Sequence, residues 1–306
     1  MRCSTAAIQA LVLHPQYRNK DGILTEAVNI AQHMVRKTFD FTFVRNLPPD
    51  SAREIITPEI PRILKTQRSS GMWKIEDVRR ISYDVLSTLQ YSGILAELLN
   101  ASCFRHDPFQ SFREEKDYYA FVVRRNIMGD MLNEDASLQR ELIANILSKR
   151  NEYGDWNGTV ISTSNHLAML VELGIASDDS RLRKSVDWLL SVCIEDVPRF
   201  AKKFPGVVVA HHMFSTESRE AEFQSAKEEK SEWNPCGGCY RHLPMIQTGF
   251  ALKVLIRLGY ENDEKVIAAC DNLLELRRTY GGWCDSNIRN GLLAQQKAER
   301  QRSRSN

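Results

Sequence analysis

The sequence predicts an all-α chain of stacked helical hairpins, and three observations lead there. The first is a pattern, Leu-x-x-Leu-x-x-x-Gly, at Leu86, Leu89 and Gly93, at Leu167, Leu170 and Gly174, and at Leu252, Leu255 and Gly259. The paired leucines share one helical face, and a glycine one turn later suits the left-handed residue that ends a helix. The second is a Gly-x-Trp turn, at Gly71-Met72-Trp73, Gly154-Asp155-Trp156 and Gly281-Gly282-Trp283. The third is the near absence of strand signals, residues 207–210 forming the one β-like run.

Both signatures keep the same beat. The glycines that follow the leucines are 81 and 85 residues apart, and the tryptophans 83 and 127. These are two and three units of about 42 residues, and repeats of that length stack helical hairpins into solenoids or closed rings. Each unit reads as a Gly-x-Trp turn, a first helix ending at glycine, and a second helix. The second helix is clearest at 178–192 and 262–278, where Asp or Asn at the start caps free amides. The pair Asp178-Asp179 reads as such a cap. Matches are poor before residue 60 and between about 100 and 145, where helices are still expected, for instance over 25–37 and 136–149. The expected division is 1–60 for divergent N-terminal helices that pack on or close the ring. Residues 61–290 form the repeat domain, and 291–306 a polar tail.

Composition removes several classes of function. The 306 residues are 42% hydrophobic and 26% charged, a globular balance. A net charge of +2 gives no whole-chain field toward nucleic acid or anionic lipid. The longest apolar runs are too short to cross a bilayer, and the start shows no cleavage-site pattern, so no signal peptide is expected. Seven cysteines, an odd number, read as thiols rather than a disulfide framework, which implies a cytoplasmic setting.

The turn Gln67-Arg68-Ser69-Ser70-Gly71-Met72-Trp73 resembles the Gln-rich, Gly-x-Trp turns of the terpenoid cyclase and protein prenyltransferase toroid superfamily. The resemblance spans roughly residues 60–285. It implies an α/α toroid, a barrel of about six hairpin units, whether complete or not, with the active site in its central cavity. It further implies that the starts of inner helices line that cavity, here Ser82, Tyr83 and Asp84, then Asn165 and His166, then His242, Gln247 and Thr248. Two departures stand out. The Asp-x-Asp-Asp acid motif of the cyclases is absent, and Cys236-Gly237-Gly238-Cys239-Tyr240 has glycine where the prenyltransferases carry their zinc-binding Asp.

That cysteine segment is nevertheless the densest chemical cluster. Cys236 and Cys239, two residues apart, can turn both sulfurs to one zinc ion, with His242 as a third ligand and Cys284 or one of His211 and His212 as a fourth. A redox dithiol and two plain buried thiols are the competing readings. His166, His212 and Asp84 are the candidate catalytic side chains. Cys103 and His106 form a weaker echo of a metal pair, and Trp73, Trp156 and Trp283 read as packing residues. Trp233 is the better cavity aromatic, and the charged stretch 217–232 is a solvated segment or a lid. The basic C-terminal residues read as a frayed tail without the aromatic interleaving of a nucleic-acid site.

The expected function is therefore a prenyltransferase- or cyclase-like enzyme, with or without zinc, acting on a hydrophobic or isoprenoid-like substrate. The alternative is a non-catalytic helical-repeat module that binds a peptide or protein along its concave face, with a structural metal or none.

Overall fold

The computed structural model describes residues 2–73, 77–194 and 245–280, and among these every regular element is helical. The elements are α1 (Arg2–Leu13), α2 (Ile23–Thr38), α3 (Pro49–Ile56), α4 (Ile60–Lys65), α5 (Val78–Tyr91), α6 (Ile94–Asn100) and α7 (Gln110–Glu114). There follow α8 (Tyr118–Val123), α9 (Asp135–Ser148), α10 (Val160–Glu172), α11 (Ser180–Ile194), α12 (Met245–Arg257) and α13 (Glu264–Tyr280). Short 3-10 turns at Val44–Asn46 and Thr57–Glu59 and a π-turn at Arg124–Met128 complete the order. Strand-like pairing among the described residues is confined to one bridge, Gln67 with Trp73. No described helix is long and apolar enough to cross a membrane.

The chain divides into two compact units. One takes residues 1–17, 150–169 and the chain from 176 onward; the other takes 18–149 and 170–175, so α10 contributes to both. In the first unit, α1 lies against α12, and α11, α12 and α13 pack on one another. Residues 6–12 of α1 are all buried, as expected of a helix enclosed by neighbours rather than laid on a surface. Its close approach to α12 requires Gly249, where a Cβ would lie 2.5 Å from the Ala6 carbonyl carbon. Beyond α1, His14 accepts the Gln16 amide on Nδ1 and so donates from Nε2, at 2.8 Å, to the Glu261 carbonyl.

The second unit is built around α5, with α3, α6 and α8 packed on it. A buried arginine joins α7, α8 and α9. Arg124, 1% exposed, gives Nε and Nη2 to the two oxygens of Asp135 at 2.9 and 2.5 Å, and Nη1 to the Phe112 and Glu115 carbonyls. The Leu132 amide also donates to Asp135, at 2.9 Å, so both carboxylate oxygens are bonded.

The repeated sequence signatures correspond to a repeated local structure. Gly93, Gly174 and Gly259 all have positive φ, at 72°, 92° and 87°, and each follows the helix that carries its leucines. Trp73 and Trp156 are 0% and 1% exposed, as packing residues should be. The glycine two residues before each has positive φ and lies against backbone. A Cβ on Gly71 would run into the Asp107 carbonyl, and one on Gly154 would lie 2.6 Å from the Lys184 carbonyl oxygen. A side chain also closes each turn: Gln67 Nε2 donates to the Gly71 carbonyl, and Asn151 Oδ1 accepts the amides of Tyr153, Gly154 and Asp155.

One further element of the repeat is visible only in the structure. The Trp73 amide donates to Ser82 Oγ at 2.9 Å, and the Trp156 amide to Thr163 Oγ1 at 3.1 Å. Both hydroxyls stand four residues before the first leucine of the pattern, so each first helix is tied to the turn that precedes it.

Helix limits differ by a few residues from the sequence expectation, for physical reasons. The helices α11 and α13 begin at Ser180 and Glu264, and Asp179 and Asp263 stand just outside them, accepting the Arg181 and Lys265 amides at 2.8 Å each. The Asp178-Asp179 pair is thus a cap through its second member. The β-like run 207–210, Trp233, Trp283, the charged stretch 217–232 and the tail lie outside the described residues.

Two outcomes test this account. Gly71→Ala should cost about 2–4 kcal/mol in urea denaturation, since it meets both a positive φ and a backbone carbonyl. Gly129→Ala, with positive φ but nothing within 4 Å, should cost only about 1 kcal/mol. Ser82→Ala and Thr163→Ala should each cost about 1–3 kcal/mol by stranding a buried amide, whereas Ser87→Ala should be close to neutral.

Candidate functional site

The polar centre of the second unit lies where the segment after α2 crosses α5. Phe39 ends α2 in the left-handed conformation, φ 54°. Phe41, Phe43, Val44 and Leu47 are buried and anchor the segment, and Tyr91 Oη fixes its far end by donating to the Leu47 carbonyl at 2.6 Å. This anchoring holds Asp40 and Arg45 against α5, whose buried Ile81, Tyr83 and Asp84 face the segment with the exposed Arg80 at the edge.

Asp84 is 6% exposed. Its Oδ1 accepts Arg45 Nη2 at 2.7 Å, while Oδ2 has no hydrogen-bond donor among the described residues and stands 4.0 Å from Arg80 Nη1. Arg45 Nη1 donates to Tyr83 Oη at 3.3 Å, and the guanidinium carbon stands 5.1 Å from the centre of that ring. Burial and the nearby Glu172 push the pKa of the Tyr83 hydroxyl up, and Glu172 accepts the Tyr118 hydroxyl. Asp84, Arg45 and Tyr83 form one hydrogen-bonded chain and Glu172 with Tyr118 a second pair beside it, with Tyr119 packed on Tyr83 and Tyr118.

A cavity of about 110 Å³ opens beside Asp84, lined by Thr38, Phe39, Asp40, Phe41, Arg80 and Ile81. The rings of Phe39 and Phe41 meet edge to face at 4.8 Å. The site thus offers one carboxylate oxygen, a second carboxylate and two aromatic side chains at a single small opening.

Burial pushes the Asp84 carboxyl up, from 3.8 to about 6, against the opposing pull of Arg45 and Arg80; Asp40 and Glu172 add to the rise. Burial also works against the charge of Arg45, but Tyr83, Asp84 and Glu172 outweigh it and hold the guanidinium protonated. Arg124 with Asp135 supplies a control within the same unit. There both carboxylate oxygens are bonded, and the Arg124 hydrogen bonds hold Asp135 below the usual carboxylate range. The two Arg–Asp pairs differ in sign because burial dominates at Asp84, whereas the Arg124 hydrogen bonds dominate at Asp135. That difference marks Asp135 as structural and Asp84 as chemically available.

His166, the second candidate, lies in the first unit, inside α10 rather than at its start. Its ring stacks on Trp156 at 5.2 Å with an 11° interplanar angle, and Nδ1 donates to the Ser162 carbonyl at 2.8 Å. That bond fixes the tautomer and leaves Nε2 with the lone pair. The ring packs first, and it offers one nitrogen to chemistry. Asn165 is exposed, whereas Gln247 and Thr248 are buried on α12. Cys103 and His106 are both exposed and are not brought together as ligands.

His211, His212, Cys236, Cys239, His242 and Cys284 lie outside the described residues. Among those described, no group of three or more His, Cys, Asp or Glu is placed to hold a metal ion. The hydroxyl register nevertheless bears on the cysteines at the level of sequence. Thr248 stands four residues before Leu252, as Ser82 and Thr163 stand before Leu86 and Leu167. Gly238-Cys239-Tyr240 precedes it, Tyr240 by eight residues, between the nine from Trp73 to Ser82 and the seven from Trp156 to Thr163.

Sequence reasoning singled out Asp84 but missed Arg45, Glu172, Tyr118 and Asp40. Arg45 is 39 residues from Asp84, and Glu172 reads as an ordinary polar residue at a helix end. Only the aromatic clustering at Phe39, Phe41 and Phe43 was available as a signal, since it marks a segment that must be buried.

The fold and site define an all-α protein of helical hairpins with a half-satisfied carboxylate at a small aromatic-walled cavity. The chain matches no family model, no curated protein and no solved structure.

The raised carboxyl makes stability depend on pH in a stated direction. The folded pKa of Asp84, about 6, lies above its ordinary value of 3.8, so proton binding favours the fold. That contribution is whole below pH 4 and is lost as pH rises through 6. Wild-type stability, measured relative to Asp84→Asn by urea denaturation, should fall by up to about 3 kcal/mol between pH 4 and 7. A difference independent of pH would show that the carboxyl titrates as an exposed one.

Proposed function

We propose that this chain is an enzyme of prenyltransferase or terpenoid-cyclase type, built as an α/α toroid, that acts on a hydrophobic or isoprenoid-like substrate. Asp84 is its acid–base group. The observation that carries the reading is the geometry of Asp84: one oxygen bonded to Arg45, the other free beside a cavity walled by Phe39 and Phe41. A carboxyl with pKa about 6 holds and releases a proton near neutral pH, which is what general acid–base catalysis needs. The aromatic walls suit a hydrocarbon fragment, and Asp40 and Arg80 suit a polar end. The repeated Gly-x-Trp turns support the hairpin architecture that such enzymes share.

Zinc at Cys236 and Cys239, with His242 and Cys284, belongs to the same proposal and rests on sequence spacing alone. Its competitor is the register noted above, in which Cys239 occupies the middle of a repeat turn. Elemental analysis of the protein, beside Cys236→Ser/Cys239→Ser, separates the two: about one zinc per chain, lost in the variant, supports a metal centre, and none supports the turn.

The second reading, a binding module for a peptide or protein, is favoured by a different surface. An open groove of about 380 Å³ is lined by Leu95, Leu99, Phe109, Ile127 and Met128 among others, and Leu99, Met131 and Leu132 are exposed. The two readings part in one assay. Isoprenoid alcohols, diphosphates and polyenes incubated with the protein should yield product detectable by mass spectrometry. Asp84→Asn should then lower kcat about 100-fold or more with substrate affinity within a few-fold. Turnover unchanged in that variant, or none with any substrate while the groove captures peptide, would favour the binding module.

A further inference from the structure

The acid–base reading of Asp84 leaves open what keeps this carboxylate in one orientation and ionised. We infer that Arg45 is the positioning residue of the site: its guanidinium, shared between Asp84 Oδ1 and Tyr83 Oη, decides which carboxylate oxygen faces the cavity and keeps that carboxylate charged at neutral pH. The inference rests on the acid–base reading but is tested without it.

Three observations converge on Arg45. First, its backbone is fixed by burial of Val44 and Leu47 on either side, so the side chain leaves the chain from a rigid point. Second, its two terminal nitrogens go to two different groups, Asp84 at 2.7 Å and Tyr83 at 3.3 Å, rather than both to one carboxylate as Arg124 does with Asp135. A single-pronged contact ties one oxygen only and leaves the other for a ligand. Third, Glu172, which accepts the Tyr118 hydroxyl, is near enough to add to the pull that Tyr83 and Asp84 exert on the Arg45 charge. The guanidinium is thereby held on the Tyr83 side by a hydrogen bond to the hydroxyl and by its place over the ring. Arg45 Nε, buried and without an acceptor among the described residues, is left over by this split.

The groups around Asp84 show why the arginine is needed. Arg45 from the 3-10 turn and Arg80 from its own helix favour the carboxylate. Asp40 from the segment after α2 and Glu172 from α10 oppose it, and Tyr83 and Tyr119 are neutral. Arg80 is 4.0 Å away with a half-exposed side chain and is shared with Asp77, so it screens weakly. Without Arg45, burial and the two neighbouring carboxylates would act almost unopposed, and Asp84 would be a neutral acid at pH 7.

The test is a pH titration of the Asp84 carboxyl carbon by NMR in aspartate-labelled protein, with Asp84→Asn to assign the signal. Wild type should titrate near 6. In Arg45→Gln the midpoint should rise by about one pH unit or more. Arg45→Lys should restore part of that difference, and Tyr83→Phe, which keeps the charge but frees the guanidinium, should move the midpoint by less than Arg45→Gln does. A midpoint near 6 that is unmoved in Arg45→Gln overturns the positioning role while leaving Asp84 as the acid–base group. A wild-type midpoint near 4 overturns the acid–base reading itself. If Arg45→Gln loses helicity, Arg45→Lys decides: a midpoint between wild type and a fully raised value supports a two-pronged role, and one identical to wild type overturns it.

Discussion

A backbone contact too close for any side chain underlies the helical hairpins of this protein. Gly71 lies against the Asp107 carbonyl and Gly154 against the Lys184 carbonyl, each in a backbone conformation that other residues adopt only with strain. From each contact a buried tryptophan follows two residues later, and its amide is taken by a hydroxyl on the next helix. Turn, ring and helix are thereby joined to one another and to the chain 36 and 30 residues further on. The leucines that follow share a face because residues three apart lie one above the other on a helix.

The site in the second unit depends on a different balance, between burial and charge. Removing a carboxylate from water costs several kcal/mol, and an ion pair repays it only with good geometry and few remaining unmet groups. Arg124 and Asp135 reach that condition, with every carboxylate oxygen bonded. Asp84 does not, because Arg45 divides its nitrogens and Arg80 stands too far away. The unit thus contains one satisfied and one unsatisfied version of the same pair. The unsatisfied pair adds little stability, and that imbalance is the ground on which Asp84 is proposed as the acid–base group.

Legibility in the sequence varied with the range of the interaction. Helix ends at Gly93, Gly174 and Gly259, the buried role of Trp73 and Trp156, and the cap at Asp179 were all readable, because each depends on neighbours within a turn or two. The hydroxyls Ser82 and Thr163 were equally local but hidden, since Ser and Thr alternate and neither is rare. Asp84 was found through its place on a repeated helix. Its partners were not, because Arg45 and Glu172 reach it across 39 and 88 residues and no local pattern encodes such pairs.

The sequence by itself determined that the described chain is helical and where the helices before Gly93, Gly174 and Gly259 end, because glycine conformations, helix faces and caps are set by chemistry between near neighbours. Tertiary structure alone decided that Asp84 keeps one oxygen free while Asp135 keeps none. Both are aspartates paired with an arginine, and the difference lies in which amides and guanidinium nitrogens folding brings within 3 Å of each carboxylate. Burial and hydrogen-bond geometry of that kind are properties of the packed chain, and they set the proton affinity on which any chemistry at this site depends.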